Sequence, residues 1–283
     1  MLFRSDRRLR AGELTEYIER TFPVVPGWDL AGRITAVGDK VKGWQVGDEV
    51  SGLAFTWSIQ HGTYAEFAPV NASSIAAKPK SLSFVQAAAL PLVSLTAWQS
   101  LAEFAALKPG QSVLIEAGAG GVGSVAISMA KHLGATVYTT ASAKNADYVR
   151  KLGADYVIDY TQENYVDVIR QREPNGIDAV LAAILDEQNI GAALELVKPG
   201  GTVAYMNNEP PESNLIAEKN IKTEFIHHRP DGESLGELLT LFDAGKLQVP
   251  DITTMPLEQA VDAQKQSESG RTRGKLVLEI QSL

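Results

Sequence analysis

The sequence predicts an α/β protein built on a doubly wound parallel sheet, and three observations support this fold class. Apolar strand-like segments alternate with helix-like segments from residue 111 onward. A glycine-rich turn separates the first strand from the first helix, and six strands follow this rhythm. Apolar strands that alternate with helices indicate a parallel sheet covered by helices on both faces.

The first strand and helix flank the glycine turn. An apolar strand, 113–115, leads into Gly118, Gly120 and Gly123, and apolar residues at helical spacing follow. This pattern is the dinucleotide-binding fingerprint: the first glycine permits the tight turn, the second lets backbone approach a pyrophosphate, and the third brings the helix close to the strand. The N–H groups at the helix start, at Gly121 and Val122, would face the phosphates. The alternative is an ordinary glycine turn.

The second strand, 136–140, predicts the type of cofactor. An NAD site needs an acidic residue shortly after this strand to hold the ribose hydroxyls. The first acid here is Asp147, a full turn into the next helix, and Ser142 and Lys144 stand in its place. A hydroxyl and an ammonium can bind a 2′-phosphate that a carboxylate would repel. We therefore expect NADPH; the alternative is that Ser142 caps the helix and Lys144 is solvated.

The remaining segments complete the pattern. Short alternating stretches before residue 97 predict a small antiparallel β-domain, with strands at 32–37, 48–53 and 62–67. After the second strand, the predicted elements are a strand at 157–158, a helix at 165–172, a strand at 178–183, a helix at 192–197, strands at 202–206 and 222–226, helices at 235–242 and 257–266, and a strand at 275–280.

Composition limits the function classes. A chain of 283 residues can form two domains. Its net charge of −8 disfavours nucleic acid as a partner, and no apolar run approaches the length of a membrane span. Cysteine is absent, so the chain has neither disulfides nor thiolate ligands. Arg7 and Arg8 lie among the acids Asp6, Glu13 and Glu16, which favours a solvated helix or loop at the front over a transit peptide. We expect a cytoplasmic protein.

Several further motifs carry a family resemblance. They are Val25-Pro-Gly-Trp-Asp-Leu-Ala-Gly32, Val46-Gly-Asp-Glu-Val50, Gly62-Thr-Tyr-Ala-Glu66, Leu90-Pro-Leu-Val-Ser-Leu-Thr-Ala-Trp98, Lys198-Pro-Gly-Gly201 and Gly270-Arg-Thr-Arg-Gly-Lys-Leu-Val277. With the glycine motif, they resemble the medium-chain dehydrogenase/reductase superfamily, and most of all its zinc-independent quinone oxidoreductase branch. The resemblance covers nearly the whole chain.

The resemblance implies a GroES-like, mainly β catalytic domain at 1–97, a Rossmann domain at 98–246 and a C-terminal return to the catalytic domain at 247–283. NADPH would lie in the cleft between the domains, with Thr96 beside the nicotinamide. Ser142, Lys144 and Tyr160 would surround the 2′-phosphate, and Arg273 and Lys275 would reach the cofactor from the tail. For Tyr160 the alternative is an aromatic that packs on a helix, and for the tail cations it is a charged surface turn.

Two departures from the family pattern stand out. Zinc-dependent relatives place a histidine where this chain has Trp28, and they use cysteines that are absent here. The four histidines, His61, His132, His227 and His228, are not spaced for three zinc ligands, so we expect no metal site.

Family members also open with several strands before a segment like residues 5–12. We expect these first strands of the catalytic domain to be missing, and stability and catalysis to be weakened as a result.

The resulting hypothesis is hydride transfer from NADPH to a quinone or an α,β-unsaturated carbonyl, whose charge delocalises without a metal. Tyr64 and Thr96 are candidate proton donors, with a core position as the alternative for Tyr64. Trp28, Phe55 and Trp57 are candidates for a flat acceptor pocket, with core packing as their alternative. Two alternative functions stay open: the reduction of enoyl thioesters or other carbonyls, and a role as a weakly active NADPH-binding protein. By family analogy we expect a homodimer.

Overall fold

The protein is described here by a computed structural model that covers residues 4–183 and 190–280. The chain divides into two compact units. The first unit comprises Met1–Leu95 and Arg229–Leu283, and the second comprises Thr96–His228.

The secondary-structure elements are numbered along the chain. The strands are β1 Glu19–Val25, β2 Asp29–Arg33, β3 Glu49–Leu53, β4 Ser58–His61, β5 Ile75–Ala77, β6 Ser112–Ile115, β7 Thr136–Thr140, β8 Tyr156–Ile158, β9 Ile177–Ala182, β10 Val197–Tyr205, β11 Lys222–Phe225, β12 Ile252–Pro256 and β13 Lys275–Glu279. The α-helices are α1 Arg4–Arg10, α2 Phe84–Ala88, α3 Pro91–Trp98, α4 Gly121–His132, α5 Ala146–Lys151, α6 Tyr165–Arg172, α7 Ala192–Leu196, α8 Asn214–Glu218, α9 Gly232–Asp243 and α10 Ala260–Glu268.

The second unit is built on a six-stranded parallel sheet with the order β11-β10-β9-β6-β7-β8. The direction of the strand order reverses between β6 and β9, which is the arrangement of a doubly wound dinucleotide-binding sheet. The predicted fold class is therefore confirmed. Apolar side chains of the strands and helices form a buried core, which includes Leu114, Ile158, Ile169, Val180 and Val203.

Local sequence signals account for most elements of this unit. Helix α6 begins where the Asn164 side chain accepts the N–H of Val166 at 2.9 Å, and its bounds match the prediction. Strand β10 begins at Val197 rather than at the predicted residue 202. Pro199-Gly200-Gly201, which the sequence suggested as a helix stop, lies inside β10, where the pairing with β9 shifts register between Val197 and Thr202.

The first unit contains small sheets. Strands β2, β3 and β5 form an antiparallel sheet, whereas β1 pairs with β4 and β12 pairs with β13 in parallel. The antiparallel β-domain is thus only part of this unit. Helix α9 packs on β5, where Gly232 lies so close to the backbone of Ile75 that no Cβ would fit.

Some details of the first unit differ from the prediction. Residues 62–67 are not a strand, because the chain turns back there and the N–H groups of Thr63 and Tyr64 donate to the carbonyls of Gly27 and Pro26. The strand expected at 32–37 begins and ends earlier, as β2. Helix α1 is not fully solvated, since Asp6 is buried. In the part of the chain that the structure describes, no helix combines the length and the apolar character that crossing a bilayer requires.

Candidate functional site

The glycine turn joins β6 to α4 at the carboxyl edge of the sheet, next to the reversal of strand order. Its left-handed residue is Ala117, with φ of 52°, so Gly118 does not supply a left-handed conformation to the tight turn. Gly118 is needed for another reason: a Cβ there would overlap Oγ1 of Thr139 in the neighbouring strand. Gly123 has the predicted close approach, because its Cβ would overlap the carbonyl oxygen of Ala117.

The start of α4 has the features of an anion site. Gly120 is the N-cap residue, and no side chain caps the helix there. The N–H groups of Gly121, Val122 and Gly123 occupy the first turn, where an α-helix supplies no carbonyl partner of its own. Gly120, Gly121 and Val122 keep part of their surface exposed. This arrangement fits a pyrophosphate, which would accept these N–H groups.

Two threonines of β7 hold the glycine turn in place. The Oγ1 of Thr140 accepts the N–H of Ala117 at 2.9 Å, and the carbonyl of Thr140 accepts the N–H of Gly118 at 3.0 Å. The Oγ1 of Thr139 donates to the carbonyl of Ile115 at 2.7 Å. Sequence reasoning missed both residues, although two adjacent hydroxyls in a buried strand are a signal that they have specific partners.

The loop after β7 carries Ser142 and Lys144. Ser142 precedes a 3-10 helix, Ala143–Asn145, but its hydroxyl makes no capping hydrogen bond, so the capping alternative is wrong. Lys144 is exposed and has no ion pair among the residues that the structure describes. Asp147, the first acid after the strand, pairs with Arg150 at 3.0 Å on the surface.

Tyr160 lies in the loop after β8 and is 58% exposed. The preceding residue, Asp159, connects this loop to the loop after β7. Its Oδ2 accepts the N–H of Ala143 at 3.1 Å, and its Oδ1 accepts the N–H of Thr161 at 3.0 Å. Sequence reasoning did not single out Asp159. The structure therefore brings Ser142, Lys144 and Tyr160 onto two adjoining loops.

The two tail cations lie in the first unit. Arg273 is half exposed and pairs with Asp251 at 2.8 Å. Lys275 is buried, with its Nζ 3.7 Å from Oδ2 of the buried Asp29. For Lys275 the surface-turn alternative is wrong, because β13 carries its side chain into the interior of the unit. The contacts of Arg273 and Lys275 with the cofactor stay predictions.

The candidate proton donors are both shielded from solvent to a large degree. The Tyr64 hydroxyl donates to Oδ2 of Asp6 at 3.3 Å. Burial, together with the negative charge of Asp6, raises the pKa of Tyr64 above its ordinary value. Thr96 is buried within α3, and its carbonyl accepts the hydroxyl of Ser100 at 2.7 Å. Their catalytic roles stay predictions.

The aromatic candidates form an edge-to-face series in the first unit. The ring centroids of Trp28 and Phe55 are 5.4 Å apart, and those of Phe55 and Trp57 are 5.1 Å apart. Trp28 and Phe55 are buried, whereas Trp57 is 54% exposed. The indole N–H of Trp28 is buried without an acceptor among the described residues. Across the described ranges, no three His, Asp or Glu side chains cluster as a metal-ion site would require.

Comparison with known families gives two matches. Residues 2–80 match the family described as alcohol dehydrogenase GroES-like domain, and residues 152–278 match the family described as zinc-binding dehydrogenase.

Individual relatives agree with these matches. The chain is 37% identical to 2-methylene-furan-3-one reductase of Solanum lycopersicum over 90% of its own length, but it spans only 63% of that relative. It is 35% identical to the chloroplastic NADPH-dependent alkenal/one oxidoreductase of Arabidopsis thaliana, over 96% of this chain and 68% of that protein. The structure of the quinone oxidoreductase from Coxiella burnetii superposes with a TM-score of 0.86 at 31% identity, covering 99% of this chain and 87% of the other.

Proposed function

We propose that this chain, which belongs to the medium-chain dehydrogenase/reductase superfamily, uses NADPH to transfer hydride to a quinone or an α,β-unsaturated carbonyl compound. The observation that carries the proposal is the loop after β7. At the position where a carboxylate would select NAD, it presents the Ser142 hydroxyl and the exposed Lys144 ammonium. The choice of acceptor is supported by the names of three relatives, a 2-methylene-furan-3-one reductase, an alkenal/one oxidoreductase and a quinone oxidoreductase.

Residues of the second unit would bind the two phosphate groups separately. The N–H groups at the start of α4 would hold the pyrophosphate, and Ser142, Lys144 and Tyr160 would hold the 2′-phosphate. When bound, NADPH supplies the hydride. The chain's own contribution is to orient the cofactor and to exclude water, since a fixed geometry removes much of the entropic cost of reaction.

The acceptor is expected to be flat and electron-poor. Trp28 and Phe55 are buried and pack in the core, so Trp57, the exposed ring at the end of the series, is the aromatic proposed to contact a flat conjugated molecule. Thr96 is the proposed proton source and a proposed neighbour of the nicotinamide ring. Tyr64 is the second candidate donor, but burial raises its pKa, which weakens it as an acid. Arg273 and Lys275 are proposed to reach the cofactor.

The proposal includes a small-molecule electrophile as the binding partner, a homodimer and a cytoplasmic location. The homodimer is supported by family analogy. Sedimentation velocity of the purified protein tests the dimer, and fractionation of the source cells tests the location. A monomer at micromolar concentration, or recovery with membranes or organelles, would overturn these two parts of the proposal.

The function is tested by NADPH oxidation with a panel of quinones, enones and enoyl thioesters. We expect turnover with quinones or enones. Preferred turnover of enoyl thioesters would favour the second acceptor class, and micromolar NADPH binding without any turnover would show a binding protein rather than an enzyme.

The cofactor is tested by the substitution Lys144→Ala. Loss of one charge-assisted hydrogen-bonding group is worth about 1.5–3 kcal/mol, so NADPH affinity should fall at least about tenfold while NADH affinity changes by less than about twofold. The matched control is Lys151→Ala, because Lys151 is another exposed lysine nearby, at the end of α5. Equal losses for both cofactors would defeat the assignment of the 2′-phosphate.

A further inference from the structure

Asp159 forms a bridge between two loops of the second unit. These loops follow the adjacent parallel strands β7 and β8, so both leave the same edge of the sheet. The carboxylate accepts three hydrogen bonds: one from the N–H of Ala143 in the first loop, and two from the N–H and the hydroxyl of Thr161 in the second. Oδ2 accepts the bond from the first loop, and Oδ1 accepts the two bonds from the second loop.

The residues beside these contacts are the ones proposed to hold the 2′-phosphate. Ser142 and Lys144 flank Ala143, and Tyr160 lies between Asp159 and Thr161. Tyr160 and Lys144 are exposed, and the Ser142 hydroxyl does not cap the helix that follows it. The donors on the two loops are thus available to a ligand, and the bridge links the loops that carry them.

The hydrogen bonds of Asp159 go to Ala143 and Thr161, so the carboxylate does not compete with a phosphate for the donors proposed to bind it. Its negative charge opposes a nearby phosphate, so loss of the charge alone would favour binding. The bonds from Thr161, together with the Ala143 N–H, lower the pKa of the Asp159 carboxyl below its ordinary value. It is therefore ionised at neutral pH, and both of its oxygens act only as acceptors.

We propose that Asp159 is a positioning residue for NADPH selection, which fixes the loop of Ser142 and Lys144 relative to the loop of Tyr160 so that their donors converge on one phosphate. The inference rests on the proposed cofactor, and it adds a residue that touches no ligand itself. Preorganised donors bind more tightly because their ordering cost is met during folding.

The first test is Asp159→Asn. The asparagine oxygen can keep accepting from Thr161, but its amide nitrogen donates and cannot accept the Ala143 N–H. The probes are 2′,5′-ADP and 5′-AMP, which differ only in the 2′-phosphate, titrated by calorimetry. We expect the affinity for 2′,5′-ADP to fall about tenfold and that for 5′-AMP to change by less than about twofold, as for the loss of one hydrogen bond.

A second variant separates the bridge from the charge of Asp159. Ala143→Pro removes the donor while Asp159 stays intact, and Ala143 is the first residue of its 3-10 helix, a position where proline is tolerated. It should produce the same selective loss as Asp159→Asn. It also provides the answer if the asparagine variant does not fold. The control Gln162→Ala removes only the bond from the exposed Gln162 amide to Thr161 within one loop and should leave both affinities within about twofold.

The outcomes distinguish this inference from the proposed function. If Lys144→Ala discriminates between the two probes but Ala143→Pro does not, the bridge has no positioning role and the inference is overturned. If Lys144→Ala does not discriminate either, the proposed phosphate site itself fails.

Discussion

The Nζ of Lys275 lies 3.7 Å from Oδ2 of Asp29, and the structure buries both side chains. The other carboxylate oxygen, Oδ1, accepts the N–H of Leu92 at 2.7 Å. Burial raises the pKa of Asp29 and lowers the pKa of Lys275 to about 8, against the attraction between the two groups. Each charge therefore helps the interior to tolerate the other, and the negative charge of Asp6 also stabilises the Lys275 ammonium.

Removal of one partner should destabilise the first unit strongly. Lys275→Met leaves the Asp29 carboxylate buried and uncompensated, and we expect the free energy of unfolding to fall by about 3–5 kcal/mol, measured by urea denaturation without cofactor. The double variant Asp29→Asn with Lys275→Met should recover most of this loss. A loss below 1 kcal/mol for the single variant would contradict a structural role for the pair.

Gly118 and Gly236 should respond to alanine in opposite directions. A Cβ at Gly118 would overlap Thr139 and approach Cδ1 of Ile127 to 2.9 Å, so we expect Gly118→Ala to lower stability by about 1–3 kcal/mol. At Gly236, inside α9, the added Cβ would lie 3.6 Å from that of Ala76, an ordinary contact. Gly236→Ala should stabilise by about 0.5–1 kcal/mol. Thermal unfolding of the two variants measures the direction of each change in stability. A Gly118→Ala protein as stable as the unmodified one would refute the tight packing at Gly118.

His228 should make the protein less stable as the pH falls. Burial, with a smaller contribution from the neighbouring His227, lowers the pKa of His228 to about 4. Between its ordinary pKa and this value the unfolded chain binds a proton that the folded chain does not, so stability is lost on acidification. The loss from pH 7 to pH 5 should be about 2 kcal/mol. Urea denaturation at pH 7 and pH 5 measures this loss in the unmodified protein and in His228→Gln. The loss in the variant should be smaller by about 2 kcal/mol, and an identical loss in the two proteins would contradict the prediction.

The Tyr64 hydroxyl should contribute to stability more than to proton transfer. Its pKa is raised by burial and by Asp6, which makes it a weaker acid than an ordinary tyrosine. Tyr64→Phe deprives the buried Asp6 of a donor, and we expect a loss of about 1–3 kcal/mol. The matched control is Tyr17→Phe, which changes an exposed ring.

Turnover of the same variant examines the proposed role of Tyr64 as proton donor. General acids contribute about 10²–10⁴-fold to rate, so a fall in kcat of less than tenfold in Tyr64→Phe would remove Tyr64 from the list of donors. We expect kcat of Tyr64→Phe to fall by less than about tenfold.

The sequence alone determined the doubly wound sheet and the glycine turn. Apolar runs, helical spacing and glycine positions are properties of neighbouring residues, so they can be read along the chain; β7 and α6 have the predicted bounds for this reason. The placement of Ser142 and Lys144 directly after β7 was predictable in the same way.

Only the tertiary structure decided which distant residues meet. Gly118 lies against Thr139 because β6 and β7 are neighbours, and Asp159 reaches Ala143 because β7 and β8 are. The burial of Lys275 with Asp29 depends on a strand that returns to the first unit from the far end of the chain. Such contacts follow from strand order and packing, which the spacing of residues along one segment does not encode.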